Sequence, residues 1–230
     1  MTERHKKRIR QRFSRAAATY DAHADVQHQL VARLLGELPE NLRPARILEL
    51  GCGTGSLTVG LAQRYPNAQI VALDFAEGML QQARSKLMGQ GRVEFFCEDG
   101  ERFLADCTAD FDLVCSNSVL HWLDDPGAAV RRISGLLAPG GLFVGAAFGD
   151  RTFEELGQGM RSALVGETAI LPSHRFPGRE GLNAMLQGSF GAVALEELLV
   201  VREYDSLFAM LDHIRKTGVG GGQRDGGLLT

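Results

Sequence analysis

Residues 47–55, Ile47-Leu48-Glu49-Leu50-Gly51-Cys52-Gly53-Thr54-Gly55, constrain this chain more than any other segment. An apolar run ends in an acidic residue and then in glycine at every second position. This reads as a buried strand running into a tight loop, with a helix starting near Ser56. Glycine at 51, 53 and 55 removes each Cβ that would hold a ligand off the backbone, and it permits positive φ where the chain turns. A strand–loop–helix unit of this kind binds nucleotide-like ligands at the C-terminal edge of a parallel sheet. The spacing narrows the ligand. In the dinucleotide fingerprint G-x-G-x-x-G the third glycine would fall at 56, where this chain has Ser56. A dinucleotide loop also presents free helix N–H groups to a pyrophosphate. Glu49, at the strand end, would repel a diphosphate but attract an ammonium.

The segments around this loop alternate. Helical patterns cover 3–18 and 24–38, closed by Pro39 and Pro44. Strand 45–50, helix 56–65, strand 69–73, helix 77–88 and strand 92–97 follow, then a helical turn near 101–104 and strand 111–115. Helix 126–137 has Pro126 in its first turn, and Pro139-Gly140-Gly141 breaks the chain before strand 142–148. Five strands with crossover helices predict an α/β fold with a Rossmann-like, doubly wound, mostly parallel sheet. Residues 151–188 interrupt the alternation with helical stretches 152–165 and 179–187 around Pro172, His174, Arg175 and Pro177. They read as a cap insertion over the C-terminal sheet edge, or as a connecting subdomain. Strand 192–204 resumes the pattern as a sixth strand. Helix 205–216 follows, then a Gly-rich stretch at 218–227. The chain reads as a single domain, 1–230, with 1–40 as an N-terminal helical lid.

Composition excludes several classes. Of 230 residues, 44% are hydrophobic and 23% charged, an ordinary balance for a soluble globular protein. A net charge of −3 gives no bulk reason to expect nucleic acid as a partner. No apolar run approaches the ~20 residues a membrane helix needs, and no secretory h-region follows the basic N-terminus. Cys52, Cys97, Cys107 and Cys115 lack zinc spacing, so no metal is expected. Isolated cysteines fit a cytoplasmic protein better than a disulfide framework.

With its E-x-G-x-G-x-G loop, the sequence resembles the class I S-adenosylmethionine-dependent methyltransferases. The resemblance implies S-adenosyl-L-methionine as cofactor. Glu49, Gly51, Cys52 and Gly53 would then lie against its amino-acid end and ribose. Asp74, ending the second strand, can accept hydrogen bonds from both ribose hydroxyls or cap the next helix. Phe75 and Met79 suit an adenine pocket, Met79 equally the core. By the same resemblance, Asp99 receives the adenine amine and the Gly100 amide meets a ring nitrogen, although Asp99 also suits a helix cap. Asn117, after the fourth strand, would hold the methionine portion. His121 is a candidate general base, or else packs with Trp122. A sheet of this class has a seventh strand, antiparallel and beside the fifth. No segment here supplies one.

Residues 12–24, Arg12-Phe13-Ser14-Arg15-Ala16-Ala17-Ala18-Thr19-Tyr20-Asp21-Ala22-His23-Ala24, resemble the F-x-x-A-A-x-x-Y-(D/E)-x-x-A element of the biotin-pathway malonyl-[acyl-carrier protein] O-methyltransferases. Arg175-Phe176-Pro177 and 211–218 match further family pieces. This implies transfer of a methyl group to the free carboxylate of a malonyl thioester on an acyl carrier protein. An anionic acceptor calls for a cation, and Arg suits a bidentate carboxylate. Arg175 is the first candidate, with Lys216 and Arg215 as alternatives and Trp122 beside the acceptor. Each cation also suits a solvated surface. Tyr20 would close the site under the lid or pack the helix on the sheet. The basic residues of the first helix (Arg4, Lys6, Lys7, Arg8, Arg10, Arg12 and Arg15) could steer an acidic carrier. A methyltransferase of another small carboxylic acid and a methyltransferase-fold binding protein of weak activity remain open. The glycine spacing and Glu49 disfavour a nicotinamide oxidoreductase.

Overall fold

The computed structural model describes residues 2–163 and 171–218 of the chain. Five strands make one parallel sheet: β1 (Arg46–Leu50), β2 (Gln69–Asp74), β3 (Val93–Cys97), β4 (Phe111–Asn117) and β5 (Leu137–Ala146), in the order β3-β2-β1-β4-β5. Helices α1 (Glu3–Tyr20) and α2 (Asp25–Glu37) precede the sheet. Helices α3 (Ser56–Arg64), α4 (Glu77–Lys86), α5 (Gly100–Asp106) and α6 (Pro126–Gly135) make the crossovers. Beyond β5 come α7 (Glu154–Ala163), a 3-10 turn (Pro172–Arg175), α8 (Arg179–Gln187) and α9 (Leu207–Lys216).

The expected α/β architecture is present, and the period-2 alternation of strands explains how it is held. In β1, Ile47 joins a core cluster with Leu34, Leu38, Leu57 and Leu61 on the α2–α3 face. Its neighbour Leu48 joins Leu104, Val130 and Ile133 on the α5–α6 face. Both are fully buried, as a central strand covered on both sides requires. Each such side chain contributes about 1.5–3 kcal/mol over an exposed placement. Two acids start the helices of the second face. The Asp99 side chain accepts from the Glu101 and Arg102 amides at the start of α5, and Asp125 accepts from Ala128 N at 2.8 Å at the start of α6.

Two expectations are corrected. Strand β5 begins at Leu137, ahead of Pro139-Gly140-Gly141, because Phe111 pairs with Leu137 before a register shift brings Leu113 opposite Leu142. As the edge strand, β5 has a free side on which a proline's missing N–H costs no ladder bond. The second correction is larger: residues 192–204 form no strand. Val193 and Leu195 pack against the α5–α6 cluster. Farther on, Glu196 pairs with Arg33 and Arg202 with Asp25, tying the segment to α2. Leu199 and Val201 are left about seven-tenths exposed, at 71% and 72%. A sixth strand in this arrangement would need the seventh between it and β5. Among the described residues no strand occupies that place, so the apolar run has no ladder to join. The Gly-rich tail beyond Gly218, like 164–165 of the helix expected at 152–165, lies outside the described residues.

α1 crosses the C-terminal ends of the strands and packs on α4. Their closest approach is at Gly78, where a Cβ would stand 2.5 Å from the Ser14 carbonyl oxygen and 2.8 Å from Ser14 Cα. Gly78→Ala is therefore expected to lift α1 off α4, at a cost of about 1–3 kcal/mol. Hydrogen exchange should quicken across α1 while the sheet stays protected. Unchanged α1 exchange would show that this contact does not seat the helix.

Candidate functional site

A cavity lies at the C-terminal ends of β1, β2 and β4, where α/β sheets place their small-molecule sites. It occupies the switch point of the sheet, where the chains leaving β1 and β4 part to opposite faces.

The glycine loop forms its floor. Gly53 has φ +55°, and a Cβ there would meet nothing within 4 Å, so its backbone lies bare toward the cavity. A Cβ on Gly51 would overlap Cγ2 of Val119, another wall residue. Asp74 fixes the loop: Oδ2 accepts from Gly53 N at 3.0 Å and Oδ1 from Ala76 N at 2.8 Å. Burial pushes the Asp74 pKa up to about 6 against these two bonds. Glu49 is buried just before the loop, and its Oε2 has no hydrogen-bond partner. Burial raises its pKa to about 7, with the Thr58 hydroxyl opposing and the Asp74 charge adding. Cys52 is buried with its amide bonded to Leu73 O at 2.9 Å, and burial pushes its thiol pKa up. Neither Glu49 nor Cys52 lines the cavity itself.

Phe75, Met79, Asp99 and Gly100 come together in the cavity wall beyond Asp74. Asp99 does cap α5, through Oδ1, and its Oδ2 meets Lys6 Nζ at 2.9 Å. The roof is α1, whose Lys6, Ile9, Phe13 and Tyr20 line the cavity. Phe13 stands edge-on to Trp122, with centroids 5.8 Å apart, and tilts against Phe75 at 6.1 Å. The Tyr20 phenol is held protonated, first by burial and then by the nearby Asp74 and Asp21 charges. The C-terminal end of α1 is tied down by Asp21, which accepts from Thr54 Oγ1 at 2.5 Å and Lys86 Nζ at 2.6 Å.

Asn117 lines the cavity from the end of β4 and donates through Nδ2 to Gln27 O at 3.1 Å. Ser118 follows with φ +61°, a left-handed conformation rare for serine. His121 does not reach the cavity wall. It packs among Phe176, Phe148 and Trp122, at 4.4, 5.2 and 5.4 Å between centroids. Its Nδ1 accepts from Phe148 N at 3.3 Å, which places the proton on Nε2. Burial lowers its pKa to about 3. The packing alternative for His121 thus holds over the general base. Arg175 is exposed at the end of the 3-10 turn, outside the wall. It faces α1: its charge, after burial and together with Arg12 and Arg8, lowers the pKa of His5. Lys216 pairs with Asp212 at 2.7 Å on α9 and also stays outside the wall.

Lys6, Ile9 and Phe13 were missed as wall residues. Their signal was in the helix: positions 6, 9, 13, 16, 17 and 20 make one stripe at helical spacing. That stripe faces the cavity and α4, with Ala16 and Ala17 buried. The state of His121 is directly measurable. Its ring resonances are expected to stay flat by NMR from about pH 8 to about pH 5, because its charge is disfavoured by burial. Titration near the ordinary histidine value would place the ring in water.

The residues present fit a ligand with an ammonium group, a ribose and an adenine. Glu49 keeps an unpartnered buried oxygen, the Gly53 backbone is open, and Asp74 and Asp99 face the cavity beside an apolar slot. A family model described as a methyltransferase domain matches residues 47–141. A malonyl-[acyl-carrier protein] O-methyltransferase of Geobacter sulfurreducens is 37% identical over 227 residues, covering 94% of this chain and 82% of that one. Among solved structures, an O-methyltransferase family protein from Burkholderia thailandensis aligns with a TM-score of 0.59 at 20% identity, over 80% of this chain and 56% of that one. N-methyltransferase NodS of Bradyrhizobium japonicum, in complex with S-adenosyl-L-homocysteine, aligns at 0.53 and 20% identity, over 71% and 73%. The two structures share the fold of this chain, and the curated relative matches nearly all of its sequence: the chain belongs to the malonyl-[acyl-carrier protein] O-methyltransferase family of S-adenosylmethionine-dependent methyltransferases.

Proposed function

We propose that this enzyme methylates the free carboxylate of a malonyl thioester carried on acyl carrier protein, within biotin biosynthesis. The observation that carries this reading is the reach of the family similarity. It spans 94% of the chain, well beyond residues 47–141 that the general methyltransferase domain matches.

When bound, S-adenosylmethionine supplies an electrophilic methyl group. The chain's own residues bind, align and keep water out. Asp74, with a lone pair left on each oxygen, accepts the ribose hydroxyls, and Glu49 attracts the ammonium from behind the loop. Asp99 and the Gly100 amide read the adenine between Phe75 and Met79. Asn117 holds the amino-acid end at the tip of β4. The acceptor carboxylate is ionised at neutral pH and needs no base, in keeping with an imidazole at 121 that is buried and neutral. Its oxygen would be the nucleophile for the methyl group that the bound cofactor would supply, and these residues would hold the two in line. Phe13, Tyr20 and Trp122 shield that line from water, which matters most for a reaction governed by alignment. Arg175, on the rim beside α1, orients the incoming carboxylate. Arg4, Lys7, Arg10 and Arg15 are exposed on the outer side of α1, where they can steer an acidic carrier.

Incubating malonyl-acyl carrier protein with the enzyme and S-adenosylmethionine should add one methyl to the malonyl group, read by mass spectrometry. Malonyl-CoA or free malonate turning over instead would replace the carrier with a small acid. Arg175→Ala should raise the acceptor KM by about tenfold or more while cofactor affinity holds. Equal loss of both would assign it to folding.

Cofactor affinity should also depend on pH, with a defined sign. Asp74 has its pKa raised to about 6, and only the ionised carboxylate accepts from both hydroxyls. Affinity for S-adenosylhomocysteine should be greatest between about pH 7 and 8, where the ligand's amine is still charged, begin to fall near 7 as Glu49 protonates, and fall further below 6, by up to about tenfold per pH unit for each group. Asp74→Asn should weaken binding and erase the lower step in calorimetry. Retention of that step would assign it to another group.

A further inference from the structure

Lys6 was grouped with the solvated basic residues of α1, yet it points inward. Its Nζ lies 2.9 Å from Asp99 Oδ2, 2.9 Å from Glu101 Oε2 and 3.0 Å from Asp124 Oδ2. It is the one cation in a cavity wall that also holds Asp74, Glu98, Asp99 and Glu101, among the described residues. The three carboxylates come from different places: the start of α5, its first turn, and the connection into α6. Burial alone would make this lysine more acidic, but hydrogen bonds to Glu101, Asp99 and Asp124 outweigh it and hold the ammonium charged.

The partners of Asp99 give the arrangement its meaning. Oδ1 is committed to the cap of α5, accepting from Glu101 N at 2.9 Å and Arg102 N at 3.4 Å. That leaves Oδ2 as the oxygen with room for a ligand donor, and Oδ2 is the atom Lys6 holds. Glu101 is fixed in turn, since its Oε1 accepts from Asp125 N at 2.9 Å.

We propose that Lys6 is a positioning residue for adenine recognition, holding the Asp99 carboxylate aimed so that it accepts the exocyclic amine only when α1 is seated. The inference rests on the adenine role given to Asp99. Without the Lys6 ammonium, three carboxylates would crowd one corner and repel one another, and Asp99 Oδ2 would lose the contact that fixes its direction. Reading of the purine and seating of the roof become one event, because the residue that closes the helix also aims the reader.

The test compares S-adenosylhomocysteine with S-inosylhomocysteine, which carries a carbonyl oxygen where adenine carries its amine. Wild type should prefer the adenosyl ligand by about tenfold or more. Lys6→Met should shrink that preference toward unity, chiefly by losing adenosyl affinity, and Lys6→Arg should restore much of it. Thermal unfolding of Lys6→Met, with and without ligand, separates a loss of fold from a loss of reading. Equal weakening of both ligands by Lys6→Met would reduce Lys6 to a latch on α1 and overturn the proposal, as would no effect on either. If wild type discriminates and Asp99→Asn abolishes the preference while Lys6→Met keeps it, the proposal alone fails. If wild type shows no preference, the adenine role of Asp99 fails first.

Discussion

The Asp74 carboxylate ties the end of β2 to the loop that follows β1, and most of the site depends on that tie. Its two oxygens hold the amides of Gly53 and Ala76, so the loop keeps its bare face toward the cavity without a ligand present. The ordered loop then presents Thr54, whose hydroxyl is held by Asp21. Asp21 also takes Lys86 from α4, and it ends the helix that roofs the site. A chain of polar contacts thus runs from the sheet edge to the roof, each link fixed by the one before. Because an ionised carboxylate has more lone pairs than these two amides use, Asp74 can serve structure and ligand together.

The same economy leaves the cavity poor in positive charge. Glu49 and Asp74 are buried with no cation paired to either among the described residues, and burial raises both pKa values. Enclosed carboxylates of this kind are costly to ionise. A ligand bearing an ammonium and a sulfonium would supply the charge they lack, and part of its binding free energy would then come from relieving the free protein. A dinucleotide would bring negative charge to the same acids. The selectivity first suggested by glycine spacing is therefore also electrostatic.

What could be read in the sequence was what local rules determine. The glycine loop, the five parallel strands and the acids after β2 and β3 follow from hydrophobic period, turn chemistry and capping, and Asp74, Phe75, Met79, Asp99, Gly100 and Asn117 do meet in one cavity. The failures share a different origin. The run at 192–204 has strand composition, but a strand needs a neighbour, and pairing is decided by the whole sheet rather than by the segment. His121 looked like a base because its type suits one; enclosure by Phe148 and Phe176 decided otherwise, and those residues are remote in sequence. Lys6 was counted as surface charge, although it lies on the same helical stripe as Ile9 and Phe13. A stripe that mixes one cation with apolar residues shows which side of a helix is covered, but not that acids wait there to receive the cation.

The roof and the rim are mechanically joined. Phe75, Phe13, Trp122, Phe176 and His121 form a continuous run of ring contacts from the Phe75 side of the cavity to the 3-10 turn that carries Arg175. Aromatic pairs each contribute about 0.5–1.5 kcal/mol beyond their buried area, and they weaken steeply when rings separate. Exposed ion pairs contribute about 0–1 kcal/mol and tolerate displacement. The Lys6 corner is partly exposed, whereas the Tyr20 end of α1 runs into the buried Ala24 and the start of α2. Phe13 stands between these two ends and touches both Phe75 and Trp122, so the seat of α1 and the packing of the turn that carries Arg175 depend on the same ring contacts.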